Sequence, residues 1–469
     1  MSNQKNNSNY ILGITVVAAI AGLLFGYDTG VIGGSQLYFT EYFEFTGYEQ
    51  GWAVSSALLG CFFGAILAGF LSQKYSRKYT LIFSAVLFSI SAWGSGIPES
   101  LDMLVIFRII GGLGVGIASM TAPMYIAEIA PPKQRGKLVS YYQLAIVIGF
   151  FVVFVATYFI GGGDTSSMSS EELTEIHDYN VKRGWRVMFW SELIPALTFL
   201  LLLFSLPHSP RWLIMKNRDA EALKVLNKLS TNDEEANREF AEIKTSFHRE
   251  RKKTDISVFA KGLGFVLFLG IMLSVLQQVT GINAILYYGA EIFSNVLGYG
   301  PEDALKQQLL LGGVNLIFTF IAIFTVDSWG RKPLLITGTL GMFLGIGTLA
   351  YTIYIGQLGI VSLIGMLTFV GSFALSMGPI VWVMLTEIFP NTVRSKMLSI
   401  AVAAQWLFNF FVGFSFPIVT ASEVNEQSFN GSLPYFIFAV LCLVTVIFVW
   451  KFIPETKGKS LEELEEMWK

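Results

Sequence analysis

Charge, cysteine and histidine are all scarce in this sequence. Only 14% of its 469 residues are charged, whereas soluble domains carry about a quarter. The net charge of −2 gives no reason to expect a nucleic-acid partner. Both cysteines, Cys61 and Cys442, lie in apolar runs, which argues against a disulfide framework or a thiolate metal site. The three histidines lie in polar segments, so we predict no metal, no cofactor and no histidine relay inside the membrane.

The sequence is instead rich in long apolar runs. A helix needs about 20 apolar residues to cross the hydrocarbon core of a bilayer. Twelve runs reach that length, and they are too long for the strands of a membrane barrel. The first is interpreted as a retained helix and not as a signal peptide. The predicted spans are 11–32, 52–71, 79–97, 101–129, 137–160, 186–206, 262–293, 309–327, 333–355, 358–387, 396–420 and 433–453.

Lysine and arginine fall in alternate loops, and the loops between them are nearly free of both. The positive-inside rule then places both termini and the long loop 207–260 in the cytoplasm. Within that loop, 219–229 has apolar residues at helical spacing, which predicts short amphipathic helices at the cytoplasmic mouth. A regulatory or partner-binding role is the alternative. The basic loops carry Lys74, Arg77 and Lys78; Lys133, Arg135 and Lys137; Arg331 and Lys332; Arg394 and Lys396.

The two halves of the chain echo one another. Glu128 precedes Arg135 by seven residues after the fourth span, and Glu387 precedes Arg394 by seven after the tenth. Parallel six-helix repeats imply a substrate site between the halves near the membrane midplane. We predict an all-α membrane protein of two six-helix bundles, whose charged turns act as cytoplasmic latches; incidental pairing is the alternative. The predicted divisions are 1–206, 207–260, 261–453 and a tail, 454–469.

Asp28 lies in the first predicted span, Arg108 in the fourth, and Glu192 near the outer end of the sixth. A charge at mid-span costs several kcal/mol, so it marks a functional site by default. We expect these three to couple transport to protons, with Asp28 releasing Arg108 when it is protonated. A static salt bridge is the alternative, although a buried pair rarely improves on apolar packing for stability alone.

A series of motifs resembles the sugar porters of the major facilitator superfamily along the entire chain, and most closely the bacterial D-xylose–proton symporters. The sequence departs from that pattern in two cytoplasmic turns, with His208 where a glutamate is usual and Gln73-Lys-Tyr-Ser-Arg-Lys78 where Asp and Gly-Arg-Arg are usual. The motifs are Gly26-Tyr-Asp-Thr-Gly30, Arg108-Ile-Ile-Gly-Gly112, Pro123-Met-Tyr-Ile-Ala-Glu128, Pro207-His-Ser-Pro-Arg211, Gln277-Gln-Val-Thr-Gly-Ile-Asn283, Asp327-Ser-Trp-Gly-Arg-Lys332 and Pro454-Glu-Thr-Lys-Gly458.

Amides and aromatics in the spans are typical of a sugar site, because hydroxyls need bidentate partners and the ring needs a flat apolar face. Interhelical hydrogen bonding and plain packing are the alternatives. The resemblance implies hydroxyl-binding or ring-stacking roles for Gln143, Gln277, Gln278, Asn283, Asn315, Trp382 and Gln405, and Trp406 and Tyr287 offer further ring surface. The predicted cytoplasmic gate consists of Arg77, Glu128, Arg135, Arg211, Arg331, Glu387 and Arg394.

The resemblance and the residues together predict a proton-coupled symporter that imports a monosaccharide, D-xylose first and otherwise glucose, galactose or arabinose. A passive facilitator of the same fold is the alternative, and Asp28 is the residue that discriminates between them. No catalytic cluster is evident, so a membrane enzyme is not expected. We expect the lipid bilayer, the sugar and the proton as partners, a functional monomer, and a multi-pass location in the bacterial inner membrane.

Overall fold

The computed structural model describes residues 2–131, 134–252, 263–390 and 393–457, and within them every regular element is a helix. The predicted tail therefore lies outside the described residues from 458 onward. So do 253–260 of the predicted linker and Lys133, one of the basic loop residues.

The first half contains α1 to α8. Glycines let these helices approach closely: a Cβ at Gly26 of α1 would collide with the backbone of Ile146 in α5, and one at Gly112 of α4 with that of Ala57 in α2. The bounds are α1 Ser2–Phe43, α2 Gly47–Tyr75, α3 Arg77–Gly94, α4 Leu101–Ile129, α5 Arg135–Ile160, α6 Ser170–Tyr179, a π-helical turn Asn180–Gly184, α7 Trp185–Ser191 and α8 Leu193–Leu203.

The second half contains α12 to α21. Its first span is broken at Gly281, whose φ of 92° and close contact with the ring of Phe438 admit no side chain. The bounds are α12 Leu263–Val279, α13 Ile282–Tyr287, α14 Gly289–Glu291, a π-helical turn Ile292–Val296, α15 Pro301–Trp329, α16 Arg331–Tyr354, α17 Ile360–Leu375, α18 Met377–Ile388, α19 Arg394–Thr420, α20 Glu423–Phe429 and α21 Leu433–Phe452.

Three short helices connect the halves, and their apolar faces form a small core of their own around Trp212, Leu213, Ile214 and Ala222. The stripe predicted from 219–229 is buried at Ala222, Leu226 and Leu229, as the helical spacing requires. The bounds are α9 Pro210–Met215, α10 Asp219–Leu229 and α11 Asp233–Lys252.

Eleven helical stretches of the described chain are long and apolar enough to cross a membrane. The predicted span 79–97 corresponds to α3, which is not among the eleven. This helix has 18 residues and begins on Arg77 and Lys78. It packs against α4 and α8, so its place in the first bundle is set by its neighbours as well as by its own hydropathy.

The two halves pack against each other through α2 with α19, α5 with α15, and α1 with α13 and α14. Where α2 begins and α19 ends, the contacts are aromatic: the ring of Tyr48 lies 5.2 Å from that of Phe414, and Trp52 lies 6.1 Å from Phe410. We call this end, which the charge pattern places outside the cell, the outer end. The halves are closed against each other there.

Candidate functional site

A cavity lies at the interface of the halves, walled by α1 and α5 on one side and by α12, α13, α15, α17, α18 and α19 on the other. It contains every residue that the sequence predicts for a sugar site. Those residues are Gln143, Gln277, Gln278, Tyr287, Asn283, Asn315, Trp382, Gln405 and Trp406.

Four amides of the second half, Gln277, Gln278, Asn283 and Gln405, are hydrogen-bonded to one another in the cavity. Gln277 is central: its Nε2 donates to the carbonyl of Met377 at 2.7 Å. Its Oε1 accepts from Nε2 of Gln278 at 3.1 Å and from Nε2 of Gln405 at 2.7 Å. Nδ2 of Asn283 then donates to Gln278 at 2.6 Å. Sugar hydroxyls can exchange into such a network, because each hydroxyl both donates and accepts.

One acceptor and one donor in the cavity have no partner within the described part of the chain. They are Oε1 of Gln405 and Nε1 of Trp406, both buried. A buried polar atom without a partner costs about 1–3 kcal/mol, so a ligand hydroxyl that reaches these atoms recovers that cost. A polar ligand therefore gains the most binding free energy by hydrogen-bonding to these two atoms.

Aromatic rings form the apolar part of the wall. Trp406 packs on Phe25 of α1 with ring centroids 5.3 Å apart, and Trp382 lines the same cavity. The first half otherwise contributes mainly Ile146, Val147 and Phe150. Most of the hydrogen-bonding groups thus come from the second half, as the sequence predicts.

Several lining residues are not among those predicted from the sequence, including Asn409, Phe25, Thr29 and Thr319. Nδ2 of Asn409 donates to the hydroxyl of Tyr287 at 3.1 Å, which orients that tyrosine. Asn409 lies four residues after Gln405, on the same face of one helix, so helical spacing could have found it.

Asp28 and Arg108 form the predicted ion pair. Nη1 of Arg108 lies 2.9 Å from Oδ1 of Asp28, and both side chains are 2% exposed. The guanidinium also reaches the carbonyl oxygen of Asp28 at 3.4 and 3.5 Å, while its Nε has no partner among the described residues. Thr29 follows Asp28 directly and lines the cavity, so the pair adjoins the cavity wall.

Glu192 is near this pair but is not in contact with it. The residue is buried where α7 gives way to α8, and neither carboxylate oxygen has a hydrogen-bond partner in the part of the chain that the structure describes. Its charge interacts with those of Asp28 and Arg108. An unpaired buried carboxylate is costly when ionised, so Glu192 stays, beside Asp28, a candidate for the predicted proton coupling.

The predicted gate residues pair across turns in a pattern that the Glu-to-Arg spacing does not reveal. Arg77 binds Glu128 at 2.8 Å, and Arg331 binds Glu387 at 3.0 Å. Each pair lies within one half, so it shapes that half's turns and does not fasten one half to the other. Arg135 is exposed, Nε of Arg394 donates to the carbonyl of Phe389 at 3.1 Å, and Arg211 is half-buried in α9.

His208 follows Pro207 in the first half, as Glu455 follows Pro454 in the corresponding turn of the second half. The Glu455 carboxylate accepts the backbone N–H groups of Arg331 at 3.1 Å and Lys332 at 3.0 Å, at the start of α16. In the first half, Ser76 caps α3 with its own hydroxyl, and Nδ1 of His208 lies 3.0 Å from that oxygen. The two halves therefore differ at two corresponding positions of this turn. The first half has His208 where the second has Glu455, and it has Ser76, with a φ of 87°, where the second has Gly330.

The stability of this turn is predicted to depend on pH through His208. Burial first, then the charges of Lys78 and Arg218, lower the pKa of His208. Its stabilising contribution is therefore complete above the unfolded-state pKa of about 6.5 and is lost as pH falls through the lower folded-state value. The difference in melting temperature between wild type and His208→Gln, measured by tryptophan emission, should shrink from pH 7.5 to pH 5.5. An unchanged difference would contradict this assignment.

A second polar cluster joins the halves on the outer side of the cavity. Oε2 of Glu291 in α14 accepts from Nε2 of Gln36 at 3.1 Å and from Nε2 of Gln50 at 2.7 Å. Gln50 also donates to Oε1 of Gln36 at 2.7 Å. Glu291 lies one helical turn beyond Tyr287, a lining residue, so this cluster closes the cavity toward the outer end.

Glu291→Ala should open the outer end. The substitution removes the acceptor of two charge-assisted hydrogen bonds between the halves, which favours the outward-open state by roughly ten-fold. Spin labels on Glu99→Cys and Gln357→Cys, exposed in outer loops of opposite halves, would report this as a longer distance. The native cysteines are buried and need not be replaced. Glu426→Ala removes an exposed carboxylate at the outer end and is the control. An equal increase in distance in this control would refute the role of Glu291 in closing the outer end.

Two helical bundles that enclose a polar and aromatic cavity, with an ion pair beside it, define a membrane transport protein. The chain belongs to the family described as Sugar (and other) transporter, whose model matches residues 14–468. The predicted family and the predicted two-bundle fold are thereby confirmed.

Its relatives are full-length and include both coupled and passive carriers. The chain is 44% identical to the D-xylose-proton symporter of Escherichia coli (strain K12), covering 99% of this chain and 97% of the relative. It is 36% identical to the glucose facilitated diffusion protein of Zymomonas mobilis, covering 100% and 99%. The inward open conformation of the xylose transporter XylE from E. coli matches with a TM-score of 0.83 at 42% identity, covering 98% and 100%.

Proposed function

We propose that this protein is a proton-coupled symporter that imports a monosaccharide by alternating access, with D-xylose as the first candidate. The observation that carries the proposal is the buried Asp28–Arg108 pair beside a cavity of amides and aromatics. The 44% identity to a D-xylose-proton symporter supports both the coupling and the sugar. The bacterial inner membrane, with both termini cytoplasmic, and a functional monomer belong to the same proposal.

The proposed roles follow the geometry. Gln277 and its amide partners bind hydroxyls, and Trp382 and Trp406 face the ring. Protonation of Asp28 removes the charge that holds Arg108, and this loosens α1, which carries Thr29 and Phe25 into the cavity wall. Sugar and proton thereby act on the same helix. Glu192 lies close enough to Asp28 and Arg108 to interact with their charges, and it responds to the change in charge when Asp28 is protonated.

The energy available to such a cycle is sufficient for accumulation. One charge moved across 100 mV gains about 2.3 kcal/mol. At about 1.4 kcal/mol for each decade of concentration, this supports a sugar gradient of roughly 50-fold.

A passive facilitator is the second candidate, favoured by the similarity to a facilitated diffusion protein. The two functions differ in whether protons accompany the sugar. Adding each sugar of a pentose and hexose panel to a lightly buffered suspension of cells that produce the protein should raise external pH for the transported sugars. Transport without any pH change would instead support the facilitator. The panel also identifies the substrate, with D-xylose expected to give the largest response.

A further inference from the structure

His177 lies between two carboxylates at the outer end of the molecule. Its Nε2 is 3.0 Å from Oε2 of Glu41, and its Nδ1 is 3.6 Å from Oε1 of Glu302. The ring of Tyr38 covers it, with centroids 5.9 Å apart. The histidine side chain is 30% exposed, so the imidazole is shielded but still reached by external water.

The two carboxylates belong to different halves. Glu41 lies near the end of α1, and Glu302 lies in the first turn of α15. His177 itself is in α6, which precedes the sixth span of the first half. Contact between His177 and Glu302 therefore joins the two halves at the outer end.

The chemistry of imidazole makes this arrangement sensitive to protons. A neutral imidazole has one N–H donor, whereas an ionised carboxylate only accepts. With both ring nitrogens facing carboxylate oxygens, a neutral ring directs a lone pair at one of them. The imidazolium donates to both. Nδ1 of His177 and Oε1 of Glu302 are buried, lie 3.6 Å apart and have no hydrogen-bond partner within the described residues. A proton on Nδ1 points at this oxygen, and the charged ring is the one form that offers it while Nε2 also donates to Glu41.

His177 is the group of this cluster whose protonation changes the contact. Glu302 is 8% exposed and lies in the first turn of α15. Two ion pairs lie in the neighbouring segments: Asp178 with Lys182 at 3.1 Å, and Asp164 with Lys306 at 3.7 Å across the halves. The groups acting on His177 from the packed elements are Glu41 and Glu302.

We infer that His177, Glu41 and Glu302 form an external proton-binding site, separate from Asp28, that fastens the halves together when it is occupied. Acid outside the cell stabilises the outward-closed state through this site, and its deprotonation favours outward opening. The inference does not depend on the transported sugar or on coupling at Asp28.

Distance measurements without sugar test the site directly. The spin labels at positions 99 and 357 are read in nanodiscs at pH 5.5 and 8.0, in an Asp28→Asn background that removes that titration. The open-to-closed ratio should rise about five-fold with pH, the value of one partly exposed ion pair. His177→Gln should show the open-favoured ratio at both pH values. His177→Arg, a permanent cation, should show the closed-favoured ratio at both.

Asp178→Asn, on the same helix, is the matched control and should keep the full response. A change of less than two-fold in the open-to-closed ratio of the Asp28→Asn protein with native His177 would overturn the site. A full five-fold change in either His177 variant would also overturn it. Because the readout uses neither sugar nor proton flux, its failure leaves the symport proposal standing. The failure of symport in uptake assays would equally leave this site untouched.

Discussion

Asp28→Asn should abolish uphill sugar accumulation while equilibrative exchange continues. Asparagine keeps the shape of the side chain and one acceptor oxygen for Nη1 of Arg108, now 2.9 Å away, but it cannot gain or lose a proton. In right-side-out vesicles with an imposed proton gradient, accumulation should fall from as much as roughly 50-fold to none. Counterflow of labelled sugar in the same vesicles should persist.

The comparison with a second carboxylate makes this result specific. Asp178 is 62% exposed in α6 and lies outside the ion pair, so Asp178→Asn should accumulate sugar as wild type does. Full accumulation by Asp28→Asn would remove Asp28 from the coupling mechanism. Loss of both accumulation and counterflow would show that the variant is inactive as a carrier, which also contradicts the expected separation.

Gln277→Ala should have the largest effect on sugar binding. The side chain donates to the carbonyl of Met377 and accepts from Gln278 and Gln405, so its removal leaves several buried groups without partners. A site that hydrogen-bonds a hydroxyl loses about 1.5–3 kcal/mol with such a group, which is roughly 10- to 150-fold in affinity. The affinity is measured as the half-saturation of counterflow and as quenching of tryptophan emission.

Two further variants separate binding from folding. Gln427→Ala, at an exposed position of α20, should leave the affinity unchanged. Gln277→Asn retains the amide on a shorter side chain and should recover part of the affinity. Unchanged affinity in Gln277→Ala would refute the proposed role, and a monodisperse protein with an unaltered melting temperature would show that the loss reflects binding.

The residues predicted for a sugar site all line one cavity, and their selection rested on the family resemblance together with the cost of polar groups in lipid. Amides such as Gln277 and Asn283 are costly in lipid, so several in one span already predict a polar cavity. The same cost of a charge in lipid marked Asp28 and Arg108 as functional candidates. The structure adds that they touch, and that Glu192 stands close to them without a direct partner.

Other features depend on distant parts of the chain and could not be predicted. The spacing between Glu128 and Arg135 indicated a pair, but the partner of Glu128 is Arg77, from a turn that packs beside it. Polarity placed His177 in a loop, and only the closure of the halves brings it to Glu302, 125 residues along the chain. The same holds for Gln36, Gln50 and Glu291.

The sequence by itself determined that this chain is a two-bundle membrane protein, and it predicted the orientation of the basic loops and the residues with polar roles within the membrane. Those conclusions follow from local quantities: the length of an apolar run, the charge of a loop, and the cost of each polar side chain in lipid. Tertiary structure alone decided which polar groups meet. The closed outer end, the self-bonded amides around Gln277 and the place of His177 between the halves all depend on contacts between spans far apart in sequence, which helical periodicity does not encode.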